Sequence, residues 1–168
     1  MILLSDANVL IDLGHVGGLG VLQRISETEV LDLVLLECEH ESQPDLVKEI
    51  LASGVKVVAT ERVWLTEAGI YHNGPLSMQD ALCLHYAKKF GRTLLAGDRP
   101  LRERCQQEAV EIRGTIWIVE EAFNRGLVPA AELCRWLKAW PWLNRRLPKG
   151  EMKRLEKLMG CDTKVTAR

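Results

Sequence analysis

Short apolar runs separated by segments of helical spacing recur along most of this 168-residue chain. The runs are ILLS ending at Asp6, VLDLVLL (30–36) ending at Glu37, VKVVA (55–59), TLLAG (93–97) ending at Asp98, and VEIRG (110–114). Each reads as a buried strand. Between them, helices are predicted from Val9, Leu10 and Leu13, over 45–53 with Gly54 as a cap, over 77–91 and from Asp98 onward. The 77–91 segment carries the strongest signals: Ser77 as N-cap, Asp80 three residues on, and Gly91 at the end. Three more helices are expected at about 115–125, 129–140 and 149–159. Strands alternating with helices predict an α/β fold: three α/β/α layers around a mainly parallel sheet of about five strands, followed by C-terminal helices.

Hydrophobic residues make up 47% of the chain, enough for a real core. With 22 basic and 23 acidic residues, a uniformly basic nucleic-acid coat is excluded. The charge is uneven: 14 basic against 20 acidic over 1–143, then 8 basic against 3 acidic over 144–168. That basic tail either faces an anionic partner or forms a solvated helix face with mixed pairs. Five cysteines, an odd count without a C-x-x-C pair, argue for a reducing compartment and against a disulfide scaffold. No basic leader and no membrane-length apolar run is visible, so a cytoplasmic protein without a membrane partner is expected.

Three acids, Asp6, Glu37 and Asp98, each end an expected strand. In an open parallel sheet the carboxyl ends share one edge, where ligands bind. Asp80, at the start of the helix leading into the Asp98 strand, can reach the same edge. Four carboxylates drawn together repel one another unless a divalent cation neutralises them. An all-oxygen set suits Mg²⁺ or Mn²⁺ rather than zinc. Such an ion activates water and stabilises charge on a phosphoryl oxygen, which points to phosphodiester hydrolysis. Each acid also has a simpler role: Asp6 and Asp98 as helix N-caps, Asp80 as a capping-box acid, Glu37 as a first-turn acid. Capping alone does not explain why three of them follow apolar strands on one edge.

SDANVLIDL (5–13), the VLLE ending at Glu37, SMQDALCLHYAKKFG (77–91) and TLLAGDRPLR (93–102) together resemble the PIN-domain nucleases, in order, spacing and flanking apolar residues. The resemblance covers about residues 1–125, taken as a PIN-like domain, with 126–168 as a helical extension packed on it. GTIWIVEEAFNRGLV resembles the strand-to-helix exit of bacterial PIN proteins, and RRLP (145–148) the tail of one stand-alone bacterial subgroup. The resemblance implies that Asp6, Glu37, Asp80 and Asp98 are catalytic and metal-binding acids, with Asn8 as a polar helper and Ser5 orienting the site. It implies a Mg²⁺- or Mn²⁺-dependent endoribonuclease acting on RNA. Many small bacterial members are toxins of toxin–antitoxin pairs and many form homodimers, so an antitoxin protein and a second copy are expected partners. Within ECEHE, Glu37 best continues the strand, Glu41 lies one helical turn on and can share its face, and Glu39 points elsewhere.

Arg102, one turn beyond Asp98, is a candidate phosphate ligand, whereas Arg104 is expected to pair with surface acids. Cys38 with His40 and Cys83 with His85 form C-x-H pairs, but residues two apart on a helix do not share a face. Cys83 is expected in the core and His85 at the surface. RWLKAWPW (135–142) offers three tryptophans for RNA stacking, partner docking or, more simply, packing of the last helices. A PIN-shaped binding module with weak catalysis is a second reading of the chain. A haloacid-dehalogenase phosphatase is a third. That mechanism wants an acid two residues after the first Asp, where Asn8 stands, and one about four after the late Asp, where Arg102 stands.

Overall fold

The computed structural model describes residues 1–161, which group into two units, Met1–Thr115 and the residues from Ile116 onward. In the first unit, strands β1 (Leu3–Ser5), β2 (Thr28–Leu31), β3 (Lys56–Val58), β4 (Thr93–Leu95) and β5 (Ile112–Arg113) form a sheet of order β3-β2-β1-β4-β5. Every pairing is parallel, with Leu3 opposite Thr28 on one side and Thr93 on the other. The sheet is flanked by helices, giving the expected α/β architecture. The inner strands β1, β2 and β4 are wholly buried, while the edge strands expose Lys56 and Arg113. Charged edges of this kind discourage further strand pairing.

The helices of this unit are α1 (Ala7–His15), α2 (Val21–Ile25), α3 (Asp32–Leu36), α4 (Leu46–Ala52), α5 (Arg62–Ala68), α6 (Met78–Phe90) and α7 (Arg99–Gln107). The sequence reading of α6 holds in detail. The Ser77 side chain accepts from Asp80 N–H, Asp80 accepts in return from Ser77 N–H, and Gly91 takes the left-handed conformation at φ 64°. That conformation costs glycine nothing, whereas a Cβ would strain it. Pro100 lies in the first turn of α7, where its missing N–H costs no helical bond.

The expected strand over 30–36 is overturned. The strand ends at Leu31, and DLVLL folds as α3. An apolar run of this length does not distinguish a buried strand from a buried helix. Asp32 makes the switch. Its Oδ1 accepts from Leu33 N–H at 2.8 Å, from Thr60 N–H at 3.1 Å and from the Thr60 hydroxyl, tying the exit of β2 to the loop after β3. The short helices α2 and α5 also escape sequence reading.

The second unit contains α8 from Ile116, the helix as a whole spanning Thr115–Asn124, then α9 (Ala130–Trp142) and α10 (Lys149–Met159). Cys134 in α9 and Cys161 just after α10 form a disulfide, against the expectation of a reducing compartment drawn from the odd cysteine count. The two lie 27 residues apart, and the packing of α9 on α10 brings them together. Trp136 and Trp140 are buried in an edge-to-face pair 6.3 Å apart, as the packing reading expects, whereas Trp142 is 89% exposed. Arg154 forks to Glu120 at 2.9 and 3.0 Å and reaches Glu151 at 2.9 Å, so this part of the basic tail forms mixed pairs. Asp162, Lys164 and Arg168 of that tail lie outside the described residues.

One buried charge fastens the amino side of the sheet. Glu29, 2% exposed in β2, accepts from Arg92 at 2.9 and 3.2 Å and from the Tyr86 hydroxyl at 3.0 Å. Burial raises the pKa of such a carboxyl, but Arg92, Tyr86 and Lys56 together hold it below its ordinary value. Trp64, Tyr86 and Phe90 stack against one another beside this pair. Replacing Arg92 by Leu strands the Glu29 charge and is expected to cost about 3 kcal/mol in urea unfolding, with Glu29→Gln in the same background restoring part of it. Reduction of the Cys134–Cys161 bridge, which closes 27 residues, is expected to cost about 3 kcal/mol, read as a fall in the thermal midpoint with dithiothreitol that Cys134→Ser reproduces.

Candidate functional site

In a sheet of order β3-β2-β1-β4-β5 the connections leave in opposite directions on the two sides of β1, and a crevice opens at the carboxyl ends of β1 and β4. Asp6 directly follows β1, and its N–H donates to Leu95 O at 2.9 Å, which locks it to the last residue of β4. Asp98 follows β4 three residues later and opens α7. Asp80 stands in the first turn of α6.

All three acids are caps, as the simpler reading held. Asp6 Oδ1 accepts from Val9 N–H at 2.9 Å, Asp98 Oδ2 from Leu101 N–H at 3.2 Å and Asp80 Oδ2 from Ser77 N–H at 3.3 Å. Each cap takes one oxygen and leaves one for another partner. Capping and a shared site are therefore compatible, because three helix N-termini converge on one edge.

Glu37 reaches the site by a different route from the one expected. It follows helix α3, as its C-cap, rather than a strand, so the first-turn role is also excluded. Its carboxyl nevertheless lies close enough to Asp6 to raise it, and close enough to Asp80 to be raised by it. Glu41 does not lie one helical turn on, because α3 has ended and the segment forms a turn in which His40 bridges Gln43. Ser5 is fully buried and donates to the Asp6 carbonyl at 3.1 Å, and Asn8 is exposed on α1. Arg102 donates to Ala96 O at 3.4 Å, at the exit of β4. Arg104 pairs with Glu108 at 3.1 Å, as expected.

The charges act on one another. Asp6, 5% exposed, is pushed up to about 7, first by burial and then by Asp80, Asp12 and Glu37, against the lowering effect of the Val9 N–H. Glu37, although much of the residue is exposed, is raised by partial desolvation of its carboxyl and by Asp80. Asp80 is raised by burial and by Asp98, with Ser77 opposing. Three thiols are also buried: Cys38, pushed up to about 12 by burial and then by Glu37 and Asp6; Cys83, pushed well above its ordinary value by burial and then by Asp6, Asp80 and Glu37; and Cys105, pushed up to about 12 by burial, with Arg102 opposing and Asp80 adding to the rise. His85 is half-buried rather than exposed, and its Nε2 stands 2.8 Å from Glu67.

Asp12 is the residue sequence reasoning missed. Buried on α1, it accepts from the Thr115 hydroxyl at 2.8 Å and adds to the potential at Asp6. Its signal was an acid interrupting the apolar stripe of Val9, Leu10 and Leu13.

A donor set of four carboxylates suits a hard divalent cation. Among the described residues no three Asp, Glu, His or Cys side chains stand close enough to enclose one. The acids are electrostatic neighbours rather than a closed cage.

Residues 2–156 match the family DUF3368: PIN domain, and the chain belongs to that family. PIN domains are typically nucleases and typically bind divalent metals. No curated protein matches the chain. Among solved structures the fold is similar to PAE2754 from Pyrobaculum aerophilum (18% identity, TM-score 0.55, covering 73% of this chain and 90% of that one). It is also similar to a PilT N-terminus domain protein, SSO1118, from the hyperthermophilic archaeon Sulfolobus solfataricus P2 (15% identity, TM-score 0.48, covering 70% and 90%).

The raised Asp6 fixes a pH dependence. The native protein holds a proton on Asp6 up to about 7, whereas an unfolded aspartate loses it near 3.8. This contribution to stability is complete below the unfolded value and is lost as pH rises through the native one. In EDTA, the urea midpoint is expected to fall from about pH 5 to about pH 8, by on the order of 3 kcal/mol in stability, and Asp6→Asn should flatten that slope. A wild-type slope that survives in Asp6→Asn would assign the titration to another group.

Proposed function

We propose that this protein is a metal-dependent endoribonuclease that hydrolyses RNA phosphodiester bonds at the crevice between β1 and β4. The observation carrying this reading is the electrostatic linkage of four carboxylates from four distant segments: Asp80 and Glu37 raise Asp6, Asp80 raises Glu37, and Asp98 raises Asp80. Membership of a family whose domains are typically nucleases supports it. A bound Mg²⁺ or Mn²⁺ supplies activated water and charge stabilisation on the phosphoryl oxygen.

The chain's own residues do the rest. Asp6, Asp80 and Asp98 would hold the ion through the carboxylate oxygens their caps do not use, together with the Glu37 carboxyl. Burial pushes Asp6 up to about 7, so that near neutrality it holds a proton for part of the time. Ser5, through the Asp6 carbonyl, and the Asp6–Leu95 backbone bond keep that carboxylate at the strand exit. Arg102, at the exit of β4, provides positive charge for the phosphate. Pairing with antitoxins occurs in the PIN family, which makes an antitoxin protein an expected partner, and the same reading keeps a second copy of the chain as another.

Asp98→Asn separates chemistry from folding, because Asn caps a helix as well as Asp does. With Mn²⁺ or Mg²⁺ and a mixed RNA pool, the wild type is expected to cut and EDTA to stop it. Asp98→Asn should cut at least ~100-fold more slowly with an unchanged thermal midpoint. Equal cutting by the mutant would sink the assignment. Mn²⁺ binding without cutting of any RNA would favour a recognition module.

A further inference from the structure

Beside Glu37 a cleft of about 250 Å³ opens between α3, α5 and α6. Its walls are Leu33, Leu36, Leu65 and Leu82, and its polar rim is Glu37 and Gln79. Leu36 is 58% exposed, so a ligand entering the cleft meets it directly. Gln79, on α6, is half-buried and directly precedes Asp80, and its side-chain amide makes no hydrogen bond among the described residues.

We propose that this cleft holds one unpaired nucleobase of the RNA, the base next to the scissile phosphate. The inference rests on the nuclease reading of the four acids and deepens it. Continuity carries the argument: Glu37 belongs to both the acid site and the cleft rim, so a strand whose phosphate lies at Asp6 and Asp80 passes the cleft mouth. Size fits, since the volume is below that of a drug-sized pocket and suits one flat heterocycle rather than a helix. Chemistry fits too. A base offers apolar faces to the leucines, and its edge offers donors and acceptors together. The Gln79 amide matches such an edge with both kinds of group, and Glu37 accepts from an amino group. Sequence-specific RNA recognition works mainly on such unstacked single-stranded bases. Gln79 is thus a specificity residue, reading the base without touching the reacting atoms.

Two readouts test this. In the first, short oligoribonucleotides carrying 2-aminopurine at successive positions are bound to Asp98→Asn protein with Mn²⁺. One position is expected to brighten at least twofold as the base leaves its stack, and Leu36→Trp, which fills the cleft, abolishes the rise. In the second, cuts in a random RNA pool are mapped. Wild type is expected to prefer one base beside the cut roughly tenfold, and Gln79→Ala to reduce this to about twofold with total cutting within threefold of wild type. Unchanged brightening and unchanged preference in both variants overturn the base cleft and leave the nuclease standing. A normal rise with no cutting by wild type removes the nuclease reading, and with it the placing of this base beside a scissile phosphate. No rise at any position overturns the proposal, and so does a Leu36→Trp protein that handles RNA normally but loses a protein partner.

Discussion

The hydrogen bond from Asp6 N–H to Leu95 O joins the residue that ends the central strand to the last residue of its neighbour. Because β1 and β4 run in register, from Leu3 opposite Thr93 to Ser5 opposite Leu95, this bond sets two chain exits side by side. Helices α1 and α7 then start next to each other, and α6 starts within electrostatic reach. Three positive helix ends face the same crevice. They offset part of the repulsion among acids that burial would otherwise force to stay neutral. Folding and chemistry make the same demand here, because the carboxylates that end strands and begin helices are also those that gather.

The parallel sheet, the strand exits at Asp6 and Asp98 and the whole of α6 were legible in the sequence, because each has a local cause. Apolar runs of strand length stop at a turn, and Ser77, Asp80 and Gly91 mark both ends of one helix. Glu37 was placed at the site on the wrong element. DLVLL is apolar enough to serve as either strand or helix, and only the tertiary bond from Thr60 to Asp32 decides. Asp12 was missed because its partner, Thr115, lies 103 residues away. The disulfide was missed for a similar reason: an odd cysteine count says nothing about which two helices will pack.

Two buried carboxylates of the first unit meet opposite fates. Glu29, surrounded by Arg92, Tyr86 and Lys56, stays ionised below its ordinary pKa and works as a fastener. Asp6, surrounded by other acids and one backbone N–H, is driven the other way. The difference lies in the company each keeps. An acid that the fold compensates is structural, whereas one left uncompensated at a sheet edge is poised to take up something else.

The thiols of Cys38, Cys83 and Cys105 come from three different segments, and all three are held protonated first by burial. Asp6 and Glu37 add to that hold at Cys38 and Cys83, whereas at Cys105 Arg102 opposes it. The domain therefore contains three chemically silent reporters. While the sheet edge stays closed they resist alkylation. When it opens, the order in which they are modified traces which of α3, α6 and α7 lets go first.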